Sequence, residues 1–245
     1  MAIDLPLPGT FEEAIAWAKA RGVVLPDDFY NTVATDARGR AFTVSYLTSL
    51  AQIQAAMDSL TESLAQGETF EQWKARAGET VGTLTDAHME TVFRNFHQNA
   101  YNAGRWKQFE ANKDAFPYLM FSAINDARTT DICRHRNGII RRADDPFWNR
   151  NSPQMHHNCR STLISLTESQ AAKRSRGPTG INKPTPTDEP GTGWGYKPTA
   201  EDAARGLAEA VKSAAGAAPS GWFETIMGLF ASGWSFLSRL LASIF

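Results

Sequence analysis

Five side chains in the middle of the chain have the types and spacing to do chemistry: Cys133, His135, His156, His157 and Cys159. They form a Cys-x-His pair and, further along, a His-x-x-Cys pair. Thiolate sulfur and imidazole nitrogen are ligands that zinc favours, and four of them can close a tetrahedral site. Zinc would suit a loop-rich segment, because the binding free energy of a structural metal contributes directly to folding. On that reading the ligands are Cys133, His135, His156 and Cys159. The competing reading is two buried thiols with hydrogen-bonded histidines around them, since an unreactive cysteine packs as a small apolar group. A thiol nucleophile activated by histidine is a third use. Nothing supports it: the chain has no Cys-Gly-x-Cys-Trp elbow, no Gly-x-Ser-x-Gly, no phosphate-cradling glycine loop and no His-Glu-x-x-His. The expectation is therefore a protein that is not an enzyme.

Two segments frame these residues. The first holds Arg94 and Asn95, then Asn99, Tyr101, Asn102, Gly104 and Arg105; the second holds Asp126, Arg128, Thr129, Cys133, Gly138, Pro146, Trp148, His156, Cys159 and Arg160. Asn95, Asn99 and Asn102 recur three or four residues apart, so on a helix they share one face and offer amides to backbone elsewhere. Arg128 and Arg160 can fork onto Asp126 or onto loop carbonyls, and Trp148 can cover a small sheet. In this order, from about Asp86 to Leu166, these elements resemble the family of the phage Mu head-morphogenesis protein F. The resemblance implies a minor head protein of a tailed phage, built into the procapsid with portal and scaffold. It implies contact with portal, scaffold or major capsid protein on the inner head surface, after assembly in the host cytoplasm. Members of the family commonly carry Cys-Arg-Cys where this chain has Cys159-Arg160-Ser161, and a further Cys near Thr130. A zinc site here would therefore have to recruit His135.

The elements that must position these residues follow from periodicity and punctuation. Thr10 and Glu13 read as a capping box for a short helix that stops at Arg21-Gly22, and Leu25-Pro26-Asp27-Asp28 opens another. Apolar residues from Val44 through Leu47, Leu50, Ile53, Met57, Leu60 and Leu64 predict one amphipathic helix from about Phe42 to Gln66, ended by Gly67. Further helices are expected from Thr69 to Ala77 and from Thr85 to about Lys113. After Pro117 the pattern changes to strands at Tyr118–Ile124, Gly138–Arg141 and Ser161–Ser165, which suit a small antiparallel sheet. The fold class expected is α+β. The expected organisation is a helical region over 1–84, the Mu F-like block over 85–170, a linker or extended arm over 171–199 and C-terminal helices over 200–245.

With 245 residues, 42% of them hydrophobic and 21% charged, the chain can bury a real core. Its net charge of -1 supplies no global field to attract polyanions. A contact with packaged DNA would fall to the local cluster Arg134, Arg136, Arg141 and Arg142. Two cysteines are too few for a disulfide scaffold, and Met1–Thr10 has neither a basic stretch nor an apolar run, so export by a signal peptide is not expected. From Lys173 to Thr199 the chain is rich in Pro, Gly, Thr and Lys, a composition that cannot order itself by apolar packing alone. The last helix carries Trp222, Phe223, Ile226, Phe230, Trp234, Leu237 and Leu241, an apolar face in search of a partner. Three occupants compete: a head protein, a membrane surface, or a second copy through the small stripe of Gly228, Ser232 and Ser235. The membrane option would make the chain an ejected, membrane-active protein.

Overall fold

The computed structural model describes residues 11–27, 41–176, 179–191 and 194–198. The helices expected over 200–245, with the docking residues Trp222, Phe223, Ile226, Phe230, Trp234, Leu237 and Leu241, lie outside the described residues, as does Thr10. The elements are α1 (Glu12–Lys19), β1 (Gly22–Val23), β2 (Ala41–Phe42), α2 (Leu50–Gln66), α3 (Phe70–Val81), α4 (Asp86–Ala111), β3 (Tyr118–Ser122), α5 (Asp131–Arg136), β4 (Ile140–Arg142), α6 (Trp148–Asn151), β5 (Thr162–Leu166) and α7 (Glu168–Arg174). The architecture is α+β, as expected.

Hydroxyl caps decide where most helices begin. Ser49, Thr69, Thr85, Thr130 and Thr167 each accept a hydrogen bond from the backbone N–H three residues on, which satisfies a donor that the first helical turn leaves without a partner. Thr69 with Gln72 and Thr167 with Gln170 complete reciprocal capping boxes. Gly67 ends α2 in the left-handed region at φ 66°, where the absence of a Cβ removes the steric cost.

The helix expected from Phe42 begins only at Leu50. Ala41–Phe42 instead pairs in parallel with Gly22–Val23, and Tyr46 at φ 72° turns the chain. Val44 and Leu47 are both 2% exposed, so their apolar spacing reports burial without helix. The Ser49 cap is the signal that overrides it. Upstream, α1 begins after Phe11 with no side-chain cap.

Two cores share one helix. Met89, Phe93, Phe96, Ala100 and Ala103 of α4 pack with α1, α2 and α3, whereas Trp106 and Phe109 at its far end join Leu119, Phe121, Trp148 and Leu163. At 26 residues, α4 is about 39 Å long and acts as the spine of both halves. The sheet has β3 at its centre, antiparallel to both β4 and β5. Leu119 and Phe121 face the α4 and α6 side, and Tyr118 and Met120 pack with Ile140, Leu166 and Ala171 on the other. Period-two alternation on the middle strand is thus buried on both faces.

Gly104 is where α1 meets α4. A Cβ there would stand 2.6 Å from Phe11 Cζ and 2.9 Å from the Ala14 backbone nitrogen. Gly104→Ala would gain helix propensity on α4, but the Ala14 backbone cannot yield without moving α1. We expect a net loss of about 1–3 kcal/mol, read as a lower thermal midpoint. An unchanged or raised midpoint would show that α1 adjusts freely.

Candidate functional site

Helix α5 and the loop over 153–161 bring two thiols and one imidazole together. Cys133 Sγ lies 3.6 Å from Cys159 Sγ and 3.3 Å from His156 Nε2. Both cysteines are free and 2% exposed, and His156 is half-buried. The other ring nitrogen, His156 Nδ1, is 2.7 Å from the His157 carbonyl oxygen. A carbonyl only accepts, so Nδ1 carries the proton and Nε2 presents its lone pair to the cluster. Thr130 Oγ1 lies 2.8 Å from that same Nε2.

The two thiols are not equivalent. The hydrogen bond from Cys159 brings the Cys133 thiol below its ordinary value in spite of its burial, helped by Ser161, Thr130 and the charge of Arg136. Cys159 is pushed up because it donates that bond and is itself buried.

His135 does not join them. Its Nδ1 is 3.4 Å from Asp188 Oδ1, and its side chain is 57% exposed. The reason is helical geometry: residues two apart on α5 point about 200° away from each other, so Cys133 and His135 cannot aim at one ion. His157 also turns away, with its Nδ1 2.9 Å from Asn95 Nδ2 and its ring edge-on to Trp194 at 5.0 Å.

The motif residues form the frame. Asn95 Oδ1 accepts from the Asn158 N–H at 2.7 Å, and Asn158 itself sits at φ 56°, a conformation that asparagine tolerates. Asn102 donates to the Ser161 carbonyl at 3.4 Å and accepts from Thr162 Oγ1 at 3.2 Å; Asn99 lies half-buried between Asn95 and Asn102 on α4. Arg160 forks onto Asp126 at 2.7 and 2.6 Å, and this hydrogen bonding holds the Asp126 carboxyl well below the usual carboxylate range. Arg128 stands off at 3.9 Å with a 74% exposed side chain. Thr129 closes the turn by accepting from the Asp126 N–H at 3.1 Å. Gly138, at φ 78°, donates to the Phe121 carbonyl at 2.8 Å, and the Pro146 carbonyl accepts from the Asn149 N–H at 3.0 Å in the turn that opens α6. Arg94 pairs with Glu90 one turn back, Tyr101 meets Phe11 edge-on at 5.6 Å, and Arg105 stacks over Phe109 at 4.9 Å.

The four arginines of the basic cluster are engaged within the chain. Arg134 pairs with Asp131 at 2.6 Å and Arg142 with Asp144 at 3.2 Å. Arg141 donates to the Ile181 and Lys183 carbonyls at 2.9 and 2.6 Å. Arg136, which sequence reading placed only in that cluster, is buried and binds Asn151, the Ile132 carbonyl and both the side chain and carbonyl of Asp188. These bonds lay the proline-rich arm along the block, and Gly191 and Gly195 continue it with N–H bonds of 2.9 and 2.8 Å to the Met155 and Gln154 carbonyls. The anchors are polar, so apolar composition gave no sign of them.

Fold and site together define an α+β module whose motif side chains are bonded to one another around a buried thiol pair. Residues 54–164 match the family described as Phage Mu protein F like protein, a match that begins within α2, well before Asp86. The chain is 25% identical over 177 residues to the putative capsid assembly protein F of Escherichia phage Mu, covering 64% of this chain and 40% of that protein. It is 29% identical over 158 residues to the Mu-like prophage FluMu F protein of Haemophilus influenzae, covering 58% of this chain and 38% of that protein. No solved structure matches it. Over residues 54–164 this chain is similar to the Mu protein F-like family. It spans about two fifths of the length of the curated relatives it matches.

Proposed function

We propose that the chain is a phage minor capsid protein acting in head morphogenesis. It is assembled in the host cytoplasm and held inside the virion head, where it touches portal, scaffold or major capsid protein. The observation that carries this reading is the family match across 54–164 together with a relative named as a capsid assembly protein. The geometry agrees with it. Asn95, Asn102, Asp126 and Arg160 are engaged in holding loops to helix α4 and to each other, which is work that a structural part requires. The chain acts by fitting other particle proteins and makes no covalent bond of its own.

The apolar residues between Trp222 and Leu241 serve as the docking segment, tethered by the arm. No helix among the described residues is long and apolar enough to cross a membrane, so the membrane-active alternative rests on that segment alone. Mass spectrometry of virions and empty proheads from the phage that encodes the chain tests the reading. The full chain should be present in both, and deletion of 221–245 should abolish its incorporation while the Mu F-like block still folds. Absence of the full chain from heads refutes the head-protein reading, and normal incorporation of the truncated chain refutes docking through the tail. Binding of the truncated segment to anionic lipid vesicles, with incorporation unaffected by its removal, would favour the membrane alternative.

A further inference from the structure

Cys133, His156 and Cys159 each offer one ligand atom, and the three atoms lie within 4.8 Å of one another. In a tetrahedral zinc site, with Zn–S about 2.3 Å and Zn–N about 2.0 Å, two sulfurs stand roughly 3.8 Å apart and sulfur and nitrogen roughly 3.5 Å. Here Sγ to Sγ is 3.6 Å and Cys133 Sγ to Nε2 is 3.3 Å. Those two sides of the ligand triangle are thus within a few tenths of an ångström of the zinc geometry, and the third is under 4.8 Å. We propose that Cys133, His156 and Cys159 form a three-ligand site for a soft divalent cation, zinc, with water in the fourth position.

The surroundings supply what such a site needs beyond its ligands. The His157 carbonyl holds Nδ1–H and so aims the Nε2 lone pair at the two sulfurs, the kind of outer hydrogen bond that fixes a metal-bound imidazole. A small cleft, open to solvent and lined by Arg128, Thr130, Asn158, Arg160 and Ser161, reaches Cys133 and His156 and gives the ion its path in. That open side leaves room for the fourth ligand. The Thr130 hydroxyl, displaced from Nε2, is left to donate to the Cys133 sulfur beside it. His135 takes no part, because it faces Asp188. None of this depends on the chain being a head protein.

The experiment uses the reduced full-length chain titrated with Co²⁺ and then Zn²⁺. One equivalent of Co²⁺ should produce a thiolate-to-cobalt charge-transfer band and the intense visible bands of a tetrahedral ion, and Zn²⁺ should abolish both. Cys133→Ser and His156→Gln should weaken binding by more than the roughly 10–100-fold that loss of an outer hydrogen-bond partner costs, whereas His135→Ala should leave it unchanged. In the unmutated chain, where no variant can fail to fold, one equivalent of Zn²⁺ should slow alkylation of both thiols. Lack of the charge-transfer band, alkylation indifferent to Zn²⁺, or His135→Ala weakening binding as much as His156→Gln would each overturn the site.

Discussion

Replacing Arg136 with alanine should cost about 3 kcal/mol of stability and loosen the arm over 179–198. The guanidinium is 1% exposed and serves three partners at once: Asn151 Oδ1 at 2.7 Å, the Ile132 carbonyl at 3.0 Å, and Asp188 through both a carboxylate oxygen at 3.1 Å and its carbonyl at 2.5 Å. Breaking a buried ion pair costs roughly 3–5 kcal/mol. The lower end applies because the Asp188 side chain is 31% exposed and water can take up its charge once the arginine is gone. Arg136→Lys should rescue little, since an ammonium lacks the planar fork that reaches three partners. Urea denaturation reads the stability. Amide exchange reads the arm, and the Gly191 and Gly195 N–H groups should exchange faster. Unchanged exchange at both would show that Arg136 does not hold the arm.

Trp148→Ala should be worse for the block itself, with a loss of about 3–5 kcal/mol. Its side chain is fully buried, meets Phe147 edge-on at 4.9 Å and Trp106 at 6.5 Å, and lies over Leu119, Phe121 and Leu163 on one face of the sheet. Its indole N–H also donates to the Arg142 carbonyl at 2.8 Å. Trp148→Phe separates the two contributions. Phenylalanine keeps most of the apolar area but loses the indole hydrogen bond to a carbonyl that still accepts from the Asp145 N–H at 3.1 Å, at a cost of about 0.5–1.5 kcal/mol. Denaturant midpoints at constant slope would rank the variants wild type, Phe, Ala. A Trp148→Ala midpoint equal to that of the wild type would remove Trp148 from the core of the block.

Much of this was legible in residues that act over short range. Thr69 and Thr85 announce their helices because a hydroxyl reaches only three residues along the chain, whereas the short α5 behind Thr130 went unread. The alternation in Tyr118–Ser122 announces a strand buried on alternate sides, and the order of Asp126, Arg128, Cys133, Trp148, His156 and Cys159 carries the family. Local signals also misled. Val44 and Leu47 have helical spacing, yet their burial comes from a turn and a strand pair with Gly22–Val23. The Cys-x-His spacing of Cys133 and His135 suggests shared ligation, but once α5 forms the two side chains diverge.

The amino-acid sequence by itself determined the α+β class, the starts of α3 and α4, the three strands of the sheet and the resemblance to the Mu protein F-like family, because each rests on neighbours within a few residues or on the order of residue types. Tertiary structure alone decided that Cys133 meets His156 and Cys159, that Arg136 finds Asp188, and that α4 serves two cores. Those pairs are 23, 26 and 52 residues apart, and no periodicity extends that far. Such contacts form only when the whole chain closes, where the cost of burying a guanidinium or a thiol selects partners able to satisfy it.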